Sequence, residues 1–164
     1  VKAGEVSLNA ADQQVKKAER KKKEDARPVY DFRVLAIHPD WNMDHRTLRR
    51  LEFPDTEECF HAFVVVPNER MNDGLCLFRD WFGVPPSCMF TVRREAVVKV
   101  DGVSTDTDIV FYAPIGAPEW VNGGPQSTRE TGDLSEFWQK VESWTDGPRV
   151  SVGFEAEGFK CLPL

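Results

Sequence analysis

The sequence predicts a mainly β fold of antiparallel strands stacked as a sandwich or barrel. Three observations predict it: from Val29 onward, runs rich in Val, Ile and Phe recur, several alternate apolar with polar residues, and Pro/Gly/Asp-rich loops separate them. The clearest run is "MFTVRREAVVKV" (89–100). Phe90, Val92, Ala96, Val98 and Val100 share one parity, and Thr91, Arg93, Glu95 and Lys99 share the other. That is the pattern of a half-buried antiparallel strand or strand pair, with Arg94 the one charge on the apolar side.

Taken in order, "SLNAADQQVKKAERKKKEDARP" (7–28) is built of strong helix formers, with Ser or Asn available as a cap and a Pro to stop it. Leu8, Ala11, Val15 and Ala18 make a narrow apolar stripe, and nearly every residue after Ala18 is charged. "YDFRVLAI" (30–37) and "FHAFVVV" (60–66) read as strands, and "DIVFYAP" and "RVSVGFEAEGF" (149–159) continue the alternation. Three helical patches interrupt them. "DHRTLRRLEF" (44–53) begins with an Asp that caps, and "NDGLCLFRDWF" (72–82) sets Leu75, Phe78 and Phe82 on one face. "DLSEFWQKVESW" (133–144) places Glu136 three residues after Asp133, as in a capping box, and its period predicts a helix. No internal repeat is present.

With 164 residues, 41% of them hydrophobic, the chain suits one globular domain plus a tail rather than a disordered polymer. No membrane span or secretory leader is read, so the expectation is a soluble protein made in the cytosol. Residues 1–27 hold eight Lys/Arg and five Asp/Glu, a balance of +3 that leaves −9 of the total −6 to the remainder. An acidic body with a basic arm is unlike a dedicated nucleic-acid reader, although the arm itself suits phosphate. Cys59, Cys76, Cys88 and Cys161 form no CxxC pair, which points to free thiols in a reducing compartment.

Little in the chain reads as catalytic. His38, Asp40, Asp44, His45, Cys59 and His61 are zinc-binding types, but neither H-x6-H nor C-x-H matches a recognised ligand pair. A metal-dependent hydrolase on His38, Asp40, His45 and His61 is the most distant reading. No nucleophile signature surrounds a Ser or Cys, Glu95, Glu155 and Glu157 read as a solvent face, and "NGGP" (122–125) reads as a turn. The expectation is therefore no catalytic residue, no metal and no cofactor. Trp81, Trp120, Trp138 and Trp144 suit burial against a neighbouring chain as well as ordinary core filling.

Four stretches in order carry a resemblance: "VVVPNERMNDGLCLFRDWFG" (64–83), "MFTVRREAVVKV" with Arg93, Arg94 and Glu95, "FYAPIGAPEW" (111–120), and "GPRVSVGF" (147–154). Together they resemble the jelly-roll capsid proteins of picornaviruses and picorna-like viruses, most closely the subunit around the fivefold axes. The resemblance implies an eight-stranded antiparallel jelly-roll β-sandwich over 29–164, of which this chain supplies five or six strands, preceded by a basic arm over 1–28. It implies a structural protein of the virion, assembled in the host cytoplasm into an icosahedral shell around RNA. Its partners would be other capsid subunits, genomic RNA and a host receptor. Tyr112, Pro114, Gly116, Pro118 and Trp120 would form a rigid inter-subunit corner, since Pro fixes φ and Gly permits the bend. Lys16, Lys17, Arg20, Lys21, Lys22 and Lys23 would contact RNA. A second reading is a cellular β-sandwich interaction module with a charged helical arm.

Overall fold

Strand burial decides the architecture. The computed structural model describes residues 8–25, 31–56, 58–129 and 132–164. In it β1 (Val34–Ile37) is buried at every position and β2 (Phe60–Pro67) at all but its ends. Runs of that kind need cover on both faces of a sheet, which helices provide in parallel α/β arrangements. The described residues accordingly form one six-stranded sheet in the order β3-β4-β2-β1-β5-β6. β1 runs parallel to β2 and to β5 (Arg149–Val152), which is itself parallel to β6 (Lys160–Leu162). β4 (Val103–Ile115) lies antiparallel between β2 and β3 (Cys88–Val100).

Helices cover both faces. Ala62, Val64 and Val66 of β2 point with Leu35, Ile37 and Phe111 into one core, closed by Phe78 of α3 (Met71–Phe82). Phe63 and Val65 point the other way, with Val34, Phe90, Val110 and Tyr112, and meet Phe137, Trp138 and Val141 of α4 (Leu134–Trp144). The caps form as their residue types dictate. Asp44 accepts from the Thr47 amide at 3.0 Å to start α2 (His45–Arg49). Asp133 and Glu136 complete the capping box of α4, at 2.9 and 3.3 Å. Gly83, at φ 72°, ends α3.

The antiparallel jelly roll is therefore corrected to a mixed α/β sheet, for three physical reasons. First, the apolar runs 34–37 and 60–66 are buried on both sides and do not alternate in exposure. Second, the alternation of 89–100 governs burial only at Phe90 and Val92. Past a register shift between Arg93 and Val98 the β3/β4 ribbon leaves the body, and Val97 and Val103 are 65% and 68% exposed. Third, the strand over 149–159 stops at Val152, because Gly153 turns the chain at φ 85°. Residues 134–144, which the resemblance would leave in a strand-forming region, are a helix.

The arm helix α1 (Leu8–Asp25) is described, with residues 11–20 exposed throughout. The expected boundary at residue 28 lies outside the described residues.

Candidate functional site

The chain leaves β1 toward β2 on one side and later returns to β5 on the other. Such a switch in strand order opens a crevice beyond the carboxyl ends of the two central strands, the usual place for a ligand in open α/β sheets. His38 follows β1 directly and Gly153–Phe154 follow β5. Their close crossing explains Gly153, where a Cβ would stand 2.4 Å from the His38 carbonyl oxygen. Thr128 and Gly132–Asp133 lie beside β3, with the Thr91 amide donating to the Thr128 carbonyl at 3.3 Å and the Arg93 amide to the Gly132 carbonyl at 2.7 Å, which places the amino end of α4 at the same edge.

Two adjoining hollows result. One, of about 310 Å3, is lined by His38, Leu134, Ser135, Trp138, Phe154 and Glu155 among others. The second, of about 340 Å3, is lined by Arg93, Arg94, Ala96, Asp108, Asp133 and the same Leu134 and Ser135. Trp138 and Phe154 stack with centroids 5.1 Å apart at 25°, giving the first hollow an aromatic wall. The second rests on a charged triad. Arg94, 13% exposed, donates from Nε to Asp108 Oδ1 at 2.9 Å and from Nη2 to Glu69 at 2.8 Å. Its Nη1 is buried with no partner among the described residues.

Burial pushes the His38 imidazole below its ordinary pKa, with the Asp108 carboxylate pulling weakly the other way, so His38 is neutral at pH 7. Burial alone would raise Glu69, but the hydrogen bond from Arg94 and its charge prevail, and the carboxyl titrates below its ordinary value. Beside the cleft, Trp41 donates from Nε1 to the Val65 carbonyl at 3.0 Å, and Arg70 bonds the Trp41 carbonyl at 2.9 Å while lying over its ring.

A larger cavity, about 490 Å3, lies at the opposite end of the sheet among Arg33, Glu58, Cys59, His61, Pro118 and Asp146. Its main polar groups are already engaged. Arg33 pairs with Glu58 at 3.3 Å, and His61 bonds Tyr112 Oη at 3.0 Å and the Glu119 carbonyl at 3.1 Å. The switch-point cleft, where His38, Trp138 and Phe154 meet the amino end of α4, is the better candidate.

The zinc-type residues do not converge. His38 and His61 sit at opposite ends of the strands, Asp44 caps α2, and no group of three such side chains is present among the described residues. Tyr112 is buried and Trp120 packs on His61 at 4.0 Å, so both turn inward. Pro114 pairs with His61 in β4, and Gly116 bends the chain at φ 75° toward Pro118 at the larger cavity. Trp81, Trp138 and Trp144 likewise pack on the two cores. Lys16, Lys17 and Arg20 are exposed on α1, and positions 21–23 continue that helix.

Sequence reasoning missed Leu134, Ser135, Trp138 and Phe154 as site residues. The available signal was the unbroken apolar run "VLAI" ending at "HPDW", a buried parallel strand opening into a polar loop.

The fold and the cleft define the class: a mixed α/β sheet protein with a crevice at its topological switch point. The sequence matches no protein-family model and no curated protein. Among solved structures, the crystal structure of M1.HpyAVI is similar, with a TM-score of 0.53 at 12% identity over 80% of this chain and 72% of that one. The M1.HpyAVI–SAM complex aligns over the same shares at 12% identity with a TM-score of 0.49. The capsid resemblance, and the structural, non-enzymatic shell role drawn from it, are overturned by this fold. The β-sandwich interaction module falls with them, since neither sandwich exists here.

Proposed function

We propose that this protein is an enzyme that binds S-adenosylmethionine (SAM) in the switch-point cleft and transfers its methyl group. The single observation behind the reading is the cleft at the β1/β5 crossing of a sheet shared in fold with M1.HpyAVI, a protein that has been solved in complex with SAM. The residues present suit that ligand. Trp138 and Phe154 offer an apolar wall to an adenine ring, Glu155 and Asp133 offer acceptors to hydroxyl and ammonium groups, and the Arg94 guanidinium brings positive charge to the second hollow.

When bound, SAM supplies an electrophilic methyl carbon: the acceptor's nucleophile takes the methyl, the C–S electron pair stays on sulfur as a thioether, and the nucleophile's proton departs. His38, neutral because it is buried, takes that proton. The test is SAM binding by isothermal titration calorimetry with the full chain and with Ser135→Trp, which fills both hollows from an exposed position. The expected result is micromolar binding by the parent, weakened at least tenfold in Ser135→Trp at an unchanged unfolding midpoint. No heat at millimolar SAM, or equal affinity in both proteins, refutes the reading.

A further inference from the structure

The arm helix α1 carries a narrow apolar stripe and a basic side, and residues 11–20 of both are exposed. Residues i, i+3, i+4 and i+7 share a helix face. By that spacing Ala11, Val15 and Ala18 lie on one side. Lys16 and Arg20 lie on the other, flanked by Lys17. Six cations thus fall within residues 16–23, interrupted by Ala18 and Glu19, over about 10 Å of helix axis. Lys16, Lys17 and Arg20 are exposed, and Lys16 holds a surface pair to Asp12 at 2.9 Å, with both side chains more than 60% exposed. A pair of that kind contributes little and yields readily to a stronger anion.

We propose that this basic face of α1 docks on the phosphate backbone of a nucleic-acid duplex, without sequence readout. The argument is charge complementarity. The arm carries +3 while the rest of the chain carries −9, so the body repels a polyanion and only the arm attracts it. A duplex presents one charge per roughly 1.7 Å of axis, which matches a dense row of cations better than isolated carboxylates on a protein do. A membrane surface fits less well, because the apolar side offers only one Leu, one Val and two Ala, without the aromatic or Leu-rich face that anchors interfacial helices. The inference is independent of the cleft and of SAM.

The experiment uses the full chain and a fluorescent duplex of scrambled sequence, about 20 base pairs long, read by anisotropy over a salt series. Five phosphate contacts predict a slope of log K on log salt near −4.5, that is, about 500-fold weaker binding at 200 mM than at 50 mM salt. A variant with Lys16, Lys17, Arg20, Lys21 and Lys23 all replaced by Gln, which keeps helix propensity, should bind at least 50-fold more weakly at 50 mM salt with its circular dichroism unchanged. Lys99→Gln, exposed on the β3/β4 ribbon of the body, should stay within about twofold of the parent. The proposal is overturned by no binding at 50 mM salt, by a fivefold variant within about threefold of the parent, by equal losses in Lys99→Gln and Arg20→Gln, or by tighter binding to phosphatidylserine vesicles than to the duplex.

Discussion

His61 is a buried polar residue, 1% exposed and held at both ring nitrogens. The Glu119 carbonyl can only accept, so Nε2 carries the proton and donates to it, and Nδ1 accepts from the Tyr112 hydroxyl. Burial lowers the His61 pKa and raises that of Tyr112, keeping both groups neutral. The folded-state pKa of His61 is below its ordinary 6.5, and that of His38 shifts the same way. Between the folded and unfolded values the unfolded chain binds more protons, so stability is fully present above the unfolded pKa and is lost as pH falls below it. Urea midpoints should therefore decline from pH 7 to pH 5. In His61→Gln the midpoint should start lower, by about 2 kcal/mol at pH 7.5, and decline less steeply. A parent midpoint that is flat over this range would show that His61 is not held neutral.

Among the elements, α3 shows how closely a helix is fitted to this sheet. Gly74 faces β2 and β4 in the interior of the helix, where a built Cβ would lie 2.5 Å from Val66 Cγ1 and 3.1 Å from the Phe111 ring. Intrinsic propensity favours Ala over Gly in a helix by about 1 kcal/mol. Contact with two fully buried side chains should reverse that preference. Gly74→Ala is expected to destabilise by about 1–3 kcal/mol in urea unfolding, and Val66→Ala in the same chain should recover part of the loss by opening space. If Gly74→Ala stabilises instead, the helix does not approach the sheet this closely.

At the scale of the whole molecule, the body and the arm are separate in charge and in packing. Residues 11–20 are exposed, Val15 by 54%, so α1 adds no described contact to either core over that span. Helices of this length gain most of their stability from packing, which leaves α1 marginal until something covers it. A chain starting at residue 28 should keep the parent's urea midpoint and lose helical circular dichroism signal alone. A lowered midpoint would show that the arm packs on the body.

Local order was legible in the sequence wherever neighbouring residues decide it. The Asp44 cap, the Asp133/Glu136 box, the helices over 71–82 and 134–144 and the strands at 60–67, 88–100 and 103–115 all formed near their expected places, because caps, periodicity and turn residues act within a few positions. Strand direction was not legible. "VLAI" reads the same whether its neighbours run with it or against it, and only the helical crossovers that bury both its faces make β1 parallel to β2 and β5. The site followed from that pairing. His38 and Phe154 are more than a hundred positions apart, and only the β1/β5 contact places them across one cleft from the amino end of α4. In the proline corner Tyr112 and Trp120 pack against His61 and Phe63 while Pro114 and Gly116 stay exposed, a split that only tertiary packing decides.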